Sequence, residues 1–230
     1  MMATLATEPI EWTQRVPERE TMDDAAENAA YDRLATTWLS RVIYPILIRE
    51  LDLQRCSIRI LDACSGTGRF TLALARAYPN ASIEGIDLSM SMLRLAHAHA
   101  RAANITERVI FSQQNVSQMA FEDNFFDVAF SYGSLHHWNA PQAVFAELAR
   151  VVRPGGSILV GDWRRDPVPL RFFRSIEGTK EWDLMVASVR AAYQEDEVQS
   201  FLKSLASVAN WQIRRHAMGL LIRGDVTGDN

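Results

Sequence analysis

Two groups of residues in this chain have types and spacings suited to chemistry. The first is Asp62-Ala63-Cys64-Ser65-Gly66-Thr67-Gly68, which follows the apolar Ile60-Leu61 and leads into Phe70-Thr71-Leu72-Ala73-Leu74-Ala75. That order reads as strand, tight turn and helix. Glycines let the backbone approach a ligand closely and adopt φ/ψ values closed to other residues. The free N–H groups opening the helix then face an anionic group. Asp87 closes the next apolar run, where a carboxylate can accept both hydroxyls of a ribose. A nucleotide-like cofactor is the reading that follows. The second group is His136 and Asp162. An imidazole titrates in the range a general base needs, and Asp162 ends a later apolar run that should face the same crevice.

The spacing excludes the commonest phosphate loops. A G-x-G-x-x-G fingerprint on Gly66 and Gly68 needs a third glycine where Thr71 stands. A P-loop needs Gly-Lys-Ser/Thr, which does not follow. The bulk composition narrows the class further. The chain has 230 residues and a formal charge of −4. That suits one α/β domain with a full core and disfavours a large nucleic-acid footprint. Cys56 and Cys64 are the only cysteines and lack metal-site spacing, so neither a zinc site nor a disulfide scaffold is expected, and no metal is assigned. No apolar run reaches membrane-spanning length, and Met1 to Pro17 lacks a basic-then-apolar leader. A cytoplasmic protein, monomeric or homodimeric, is the expectation.

The elements that must position these groups alternate. Residues 1–22 read as a flexible tail or a loose strap. Residues 23–55 read as two helices, the first capped by Asp23 or Thr21 and running past Leu34, Trp38 and Leu39. The second spans Val42 to Leu51, with Pro45 as an interruption or first-turn residue. The core, 56–162, alternates strands 58–62, 82–87, 109–113, 126–132 and 157–162 with helices 70–78, 89–103 and 142–152. Alternation of this kind specifies a mostly parallel sheet covered on both faces. Residues 163–209 form a helical region with many aromatics and arginines, including a helix over 196–209. Residues 210–230 hold strands 211–216 and 220–223 and a tail.

The residues D-x-x-x-G-x-G from Asp62 to Gly68, then Leu135-His136-His137-Trp138, then Glu147-Leu148-Ala149-Arg150-Val151-Val152-Arg153-Pro154-Gly155-Gly156 resemble the class I S-adenosylmethionine-dependent methyltransferases. Together they look like the large branch containing quinone-biosynthesis C-methyltransferases and small-molecule or sugar O-methyltransferases. The resemblance covers roughly residues 58–162. The family's first motif usually carries a glycine where this chain has Cys64. The resemblance implies a Rossmann-like seven-stranded sheet whose terminal strand pair includes one antiparallel member, with an N-terminal helical cap and an inserted helical substrate region. It implies S-adenosylmethionine as cofactor. Asp62, Ala63, Gly66 and Gly68 would seat its methionine part, Asp87 its ribose, Leu88 and Met92 its adenine. Asn115 and Val116 would sit by the adenine amino group, Ser131 would pass under the methionine part, and Tyr31 would close over that end.

The implied function is methyl transfer to a small-molecule acceptor, with oxygen preferred. Some sugar O-methyltransferases of the branch place a His and an Asp as bases at positions matching His136 and Asp162. Asn/Asp-Pro-Pro-Tyr is absent after the fourth strand, which disfavours methylation of nucleic-acid amino groups. Trp163, Phe172, Phe173 and Trp182 are candidates to wall the acceptor, and Arg164, Arg165, Arg171 and Arg174 to grip an acidic group. His137 is expected to point into a helix start, and His97 and His99 receive no role. Alternatives are N- or C-methyl transfer by proximity, an NAD-dependent oxidoreductase, and a non-catalytic cofactor-binding subunit.

Overall fold

Strands read as near-continuous apolar runs because they are buried on both faces of a central sheet. In the computed structural model, which describes residues 12–51, 53, 58–205, 208–216 and 218–227, β1 (Arg59–Ala63) shows why. Ile60 packs into one apolar layer and Leu61 into the other. The sheet has seven strands in the order β3-β2-β1-β4-β5-β7-β6. These are β2 (Ser82–Asp87), β3 (Val109–Gln113), β4 (Phe126–Tyr132), β5 (Val152–Trp163), β6 (Val208–His216) and β7 (Gly219–Val226). β1 to β5 pair in parallel, and β7 runs antiparallel to both β5 and β6. Helices α1 (Ala25–Ala35), α2 (Trp38–Leu51), α3 (Arg69–Ala77), α4 (Met90–Ala102), α5 (Pro141–Val151), α6 (Lys180–Ala191) and α7 (Glu195–Leu202) cover it. α2, α3 and α4 contribute Leu47, Leu74 and Leu93 to one layer, while α5 and α7 contribute Leu148 and Phe201 to the other.

Several expectations shift in detail. Asp24, not Asp23 or Thr21, caps α1 by accepting the Glu27 N–H at 2.8 Å. α2 starts earlier than expected and runs through Pro45; buried Ile43, Leu47 and Leu51 hold it despite the backbone hydrogen bond that proline removes. β5 begins at Val152, because Val152 pairs with Phe126 before a register shift. α7 stops at Leu202, and β6 takes over from Val208 by pairing with Val226. Among the described residues no helix is long and apolar enough to cross a membrane.

Residues 12–22 follow the strap alternative. Arg15 donates to the carbonyls of Ala191 at 2.6 Å and His136 at 2.7 Å, and its guanidinium lies 4.2 Å from the Tyr193 ring centre. Val16 donates to the Arg190 carbonyl, and the Ser89 hydroxyl to that of Met22. Residues 1–11 and 228–230, Cys56, and the side chains of Trp38 and Leu39 lie outside the described residues. Strand order reverses between β1 and β4, and there the carboxyl ends open a crevice.

Candidate active site

The crevice begins at the turn after β1. Cys64, Gly66 and Gly68 all hold positive φ, at 63°, 54° and 74°. Ser65 ties the turn to β2 by donating to the Ile86 carbonyl at 2.8 Å. The Gly66 N–H donates to Asp87 Oδ2 at 2.8 Å, and the Ser89 N–H to Oδ1 at 2.9 Å. Each carboxylate oxygen keeps a lone pair for a ligand hydroxyl. Burial raises the Asp87 carboxyl above its ordinary value, partly offset by these backbone donors. Asp62 is deeper. It accepts the Thr71 hydroxyl at 2.5 Å, and burial pushes its carboxyl up to about 7 against that hydrogen bond, with help from the Asp87 charge.

The expected cofactor residues separate into wall and frame. Tyr31, Gly66, Asp87, Leu88, Met92, Asn115 and Val116 line one cleft. Asp62 lines the narrow compartment beside it, with Tyr31, Cys64 and Ser65. Ala63, Gly68 and Ser131 lie behind the wall. The Ser131 hydroxyl donates to the Ala63 carbonyl at 2.5 Å and so braces β4 against β1. Gly68 lets α3 approach its neighbours, since a Cβ there would meet Phe111 Cζ at 2.8 Å and Ala96 Cβ at 2.9 Å. The Asn115 side-chain oxygen accepts from the Ser117 N–H and hydroxyl, both at 2.8 Å, so it also closes a turn.

A larger cavity of about 430 Å³ adjoins the cleft, sharing Tyr31, Gly133 and His137 with it. Its wall carries His136, 1% exposed, at the end of the crevice. Asp162 faces the same crevice and adjoins the ring: His136 Nδ1 lies 2.8 Å from Asp162 Oδ1. Asp162 also accepts the backbone N–H groups of His136 at 2.6 Å and Trp163 at 2.7 Å. A carboxylate taking those donors fixes the ring with its proton on Nδ1, leaving Nε2 toward the cavity. There it meets Glu18 Oε2 of the strap at 3.3 Å. Burial works to lower His136, but the Asp162 and Glu18 carboxylates outweigh it and push the imidazole up to about 9. Burial opposes the charge of Glu18 in turn, but the His136 hydrogen bond and charge prevail and lower it.

His137 departs from expectation. Its Nδ1 lies 2.7 Å from the Arg19 carbonyl and its Nε2 3.7 Å from Glu18. Burial, reinforced by repulsion from His136, takes it down to about 4. The substrate walls are also redistributed. Trp163 lines the cavity with Tyr44 and Tyr132, and Phe173 backs it at 6.1 Å between ring centres. Phe172 is 46% exposed, and neither it nor Trp182 is on the wall. None of the four arginines lines the cavity; Arg164 pairs with Asp166 and Arg165 with Glu197, while Arg19 and Lys180 take the lining positions. Glu18 escaped sequence reading because the strap carries no periodic signal.

Residues 60–156 match a methyltransferase-domain family. The chain is 30% identical over 77% of its length to the 27-O-demethylrifamycin SV methyltransferase of Amycolatopsis mediterranei, covering 61% of that protein. It is 35% identical over 54% of its length to a ubiquinone/menaquinone biosynthesis C-methyltransferase of Syntrophotalea carbinolica, covering 51% of it. The chain thus spans between half and three-fifths of the length of these relatives. A solved structure from Methanococcus maripaludis shares the fold with a TM-score of 0.75 at 23% identity, over 94% of this chain and 99% of that one. Over these residues the chain is similar to S-adenosylmethionine-dependent methyltransferases.

The residues of the cleft fit S-adenosylmethionine, the cofactor of those methyltransferases. Asp87 presents its carboxylate in the cleft, Met92 and Val116 supply an apolar wall, and the compartment beside Asp62 holds a buried Ser65 hydroxyl with no hydrogen-bond partner. Gly66 leaves space that a Cβ would take up, 3.4 Å from Tyr31. Cys64 stands where the family usually has glycine, and it keeps the left-handed backbone of that position. Burial pushes its thiol up to about 12, so it is a neutral lining group.

Proposed function

We propose that this protein is an S-adenosylmethionine-dependent methyltransferase that methylates a hydroxyl oxygen of a small, largely apolar acceptor held in the 430 Å³ cavity, with His136 as the base. The observation that carries this reading is the buried His136–Asp162 pair, 2.8 Å apart, with Nε2 open to the cavity wall. When bound, S-adenosylmethionine supplies an electrophilic methyl group on a sulfonium. A hydroxyl acceptor loses its proton as its oxygen bonds to carbon, whereas a neutral amine needs mainly orientation. Asp162 holds the imidazole, which sheds to solvent the proton it carries below about pH 9 before Nε2 takes the hydroxyl proton. The acceptor hydroxyl must therefore replace Glu18 at Nε2. Tyr44, Tyr132 and Trp163 offer aromatic faces to the acceptor body. The O-methyl chemistry in the name of the rifamycin relative supports oxygen as acceptor.

The test is a methyl-acceptor screen followed by His136→Ala. Affinity for S-adenosylhomocysteine should hold while kcat with a hydroxyl acceptor falls by about 10²–10⁴. Unchanged turnover, or a product methylated on carbon, would remove the base role.

A further inference from the structure

Glu18, His136 and His137 each offer one potential ligand atom, and all these atoms lie within 4.8 Å of one another. Both rings are set the same way round. His137 Nδ1 faces the Arg19 carbonyl, which can only accept, so this nitrogen carries the proton. His136 Nδ1 faces Asp162, whose oxygens already accept two backbone N–H groups. In neutral rings both Nε2 atoms, without a proton, then lie near the Glu18 carboxylate, at 3.3 and 3.7 Å. While His136 carries a proton on Nε2, that proton lies toward Glu18; once it leaves, three acceptors face one another with only the Ser188 hydroxyl donating to Glu18, and a cation satisfies them. Imidazoles oriented through Nδ1 by a carboxylate and a backbone carbonyl are also the usual outer support of metal-binding histidines.

The spacing suits a small ion. Ligands about 2.1 Å from a tetrahedral ion lie roughly 3.4 Å apart, close to the two distances to Glu18. Neighbouring groups do not compete for the point. Arg19 pairs with Glu27 through its guanidinium, Lys180 also faces Glu27, and Arg15 is spent on carbonyls. The Ser188 hydroxyl, which donates to Glu18 at 3.3 Å, adds a further oxygen nearby.

We propose that Glu18, His136 and His137 form a binding site for one divalent transition ion of the zinc class, which ties the N-terminal strap to the crevice and inhibits methyl transfer. The set of two imidazoles and one carboxylate favours such an ion over magnesium or calcium, which prefer all-oxygen ligands. Binding displaces any proton on His136 Nε2 to solvent. It occupies the lone pair needed for the acceptor proton and holds Glu18 across the cavity. Inhibition rests on the base role proposed above, whereas ion binding itself does not.

The experiment uses the full chain, chelator-treated and free of cofactor, titrated with Zn²⁺ by calorimetry. One equivalent should bind per chain, and equimolar Mg²⁺ should not compete. Glu18→Gln, a strap substitution with little bearing on the core, and His137→Gln should each weaken binding at least tenfold. Asp162→Asn should weaken it by about 10–100-fold through the orientation of His136. Far-UV circular dichroism checks that each variant folds. If the Glu18→Gln/His137→Gln double variant binds Zn²⁺ as the parent does, or the parent binds none, the site is refuted. In turnover assays Zn²⁺ should lower kcat reversibly by chelation. Stoichiometric binding through these residues without inhibition would overturn the inhibitory role and count against His136 as base, leaving the ion site standing.

Discussion

At the residue scale, Cys64 holds a φ of 63°, a conformation that costs an L-residue about 1–2 kcal/mol. Glycine there would relieve that strain while loosening the unfolded chain by about 0.4–1 kcal/mol. Cys64→Gly should therefore stabilise by between about 0 and 1.6 kcal/mol. Cys64→Val places a β-branched side chain in the least tolerant region and should cost about 2 kcal/mol or more. Urea midpoints compare the two, and a valine variant as stable as the parent would contradict the backbone account. Asp62 makes a second prediction. Its folded-state carboxyl is raised to about 7, while in the unfolded chain it titrates near 4. Stability from this group is full below about pH 4 and is lost as pH rises through about 7. Asp62→Asn, which cannot ionise, should flatten that part of the curve and stabilise the cofactor-free protein above pH 7 by the order of a few kcal/mol. Denaturation at pH 5 and pH 8 reads the difference, and parallel losses in both proteins would sink it.

At the element scale, the parts that close the crevice are held by long-range polar contacts. Arg165, 4% exposed, donates to the Ala192 carbonyl at 2.7 Å, the Trp12 carbonyl at 3.2 Å and both Glu197 oxygens at 3.0 Å. One side chain thus joins the end of β5, the approach to α7 and the strap. Glu197 is 37% exposed, which moderates the penalty of leaving it unpaired. Arg165→Met should still cost about 2 kcal/mol, since two carbonyls lose a buried donor. It should also speed proteolysis within residues 12–22, and unchanged cleavage there would detach Arg165 from the strap. The contrast with the sheet shows what the sequence carries. β2, β3 and β4 lie at the positions their apolar runs imply, and the glycine turn and Asp87 follow from local spacing. The strap has no such pattern. Glu18 and Arg15 matter through partners more than a hundred residues away, and no local periodicity encodes that. His137 was missed for the same reason, because the Arg19 carbonyl that turns it lies on the strap.

At the scale of the whole molecule, the residues proposed to hold the cofactor come from both the sheet and its cap. Asp62 and Asp87 stand at strand ends, while Tyr31 projects from α1 and lines the cleft, the compartment beside Asp62 and the acceptor cavity alike. A ligand spanning the crevice joins cap and sheet, so binding must stabilise the whole fold by mass action. At a hundredfold excess over Kd the gain is about 2.7 kcal/mol. For a domain of this size each kcal/mol moves Tm by about 2–4 °C, so saturating S-adenosylhomocysteine should raise Tm by about 5–10 °C. Asp87→Ala removes the expected ribose acceptor and leaves the Gly66 and Ser89 N–H groups without their partner. It should lower Tm of the cofactor-free protein and also abolish most of the ligand-induced shift, and the shift is the quantity that tests ribose binding. A full shift in Asp87→Ala would move the ribose elsewhere in the cleft. A shift with NADH but none with S-adenosylhomocysteine would mean that the missing third glycine, Thr71 in this chain, does not exclude a dinucleotide.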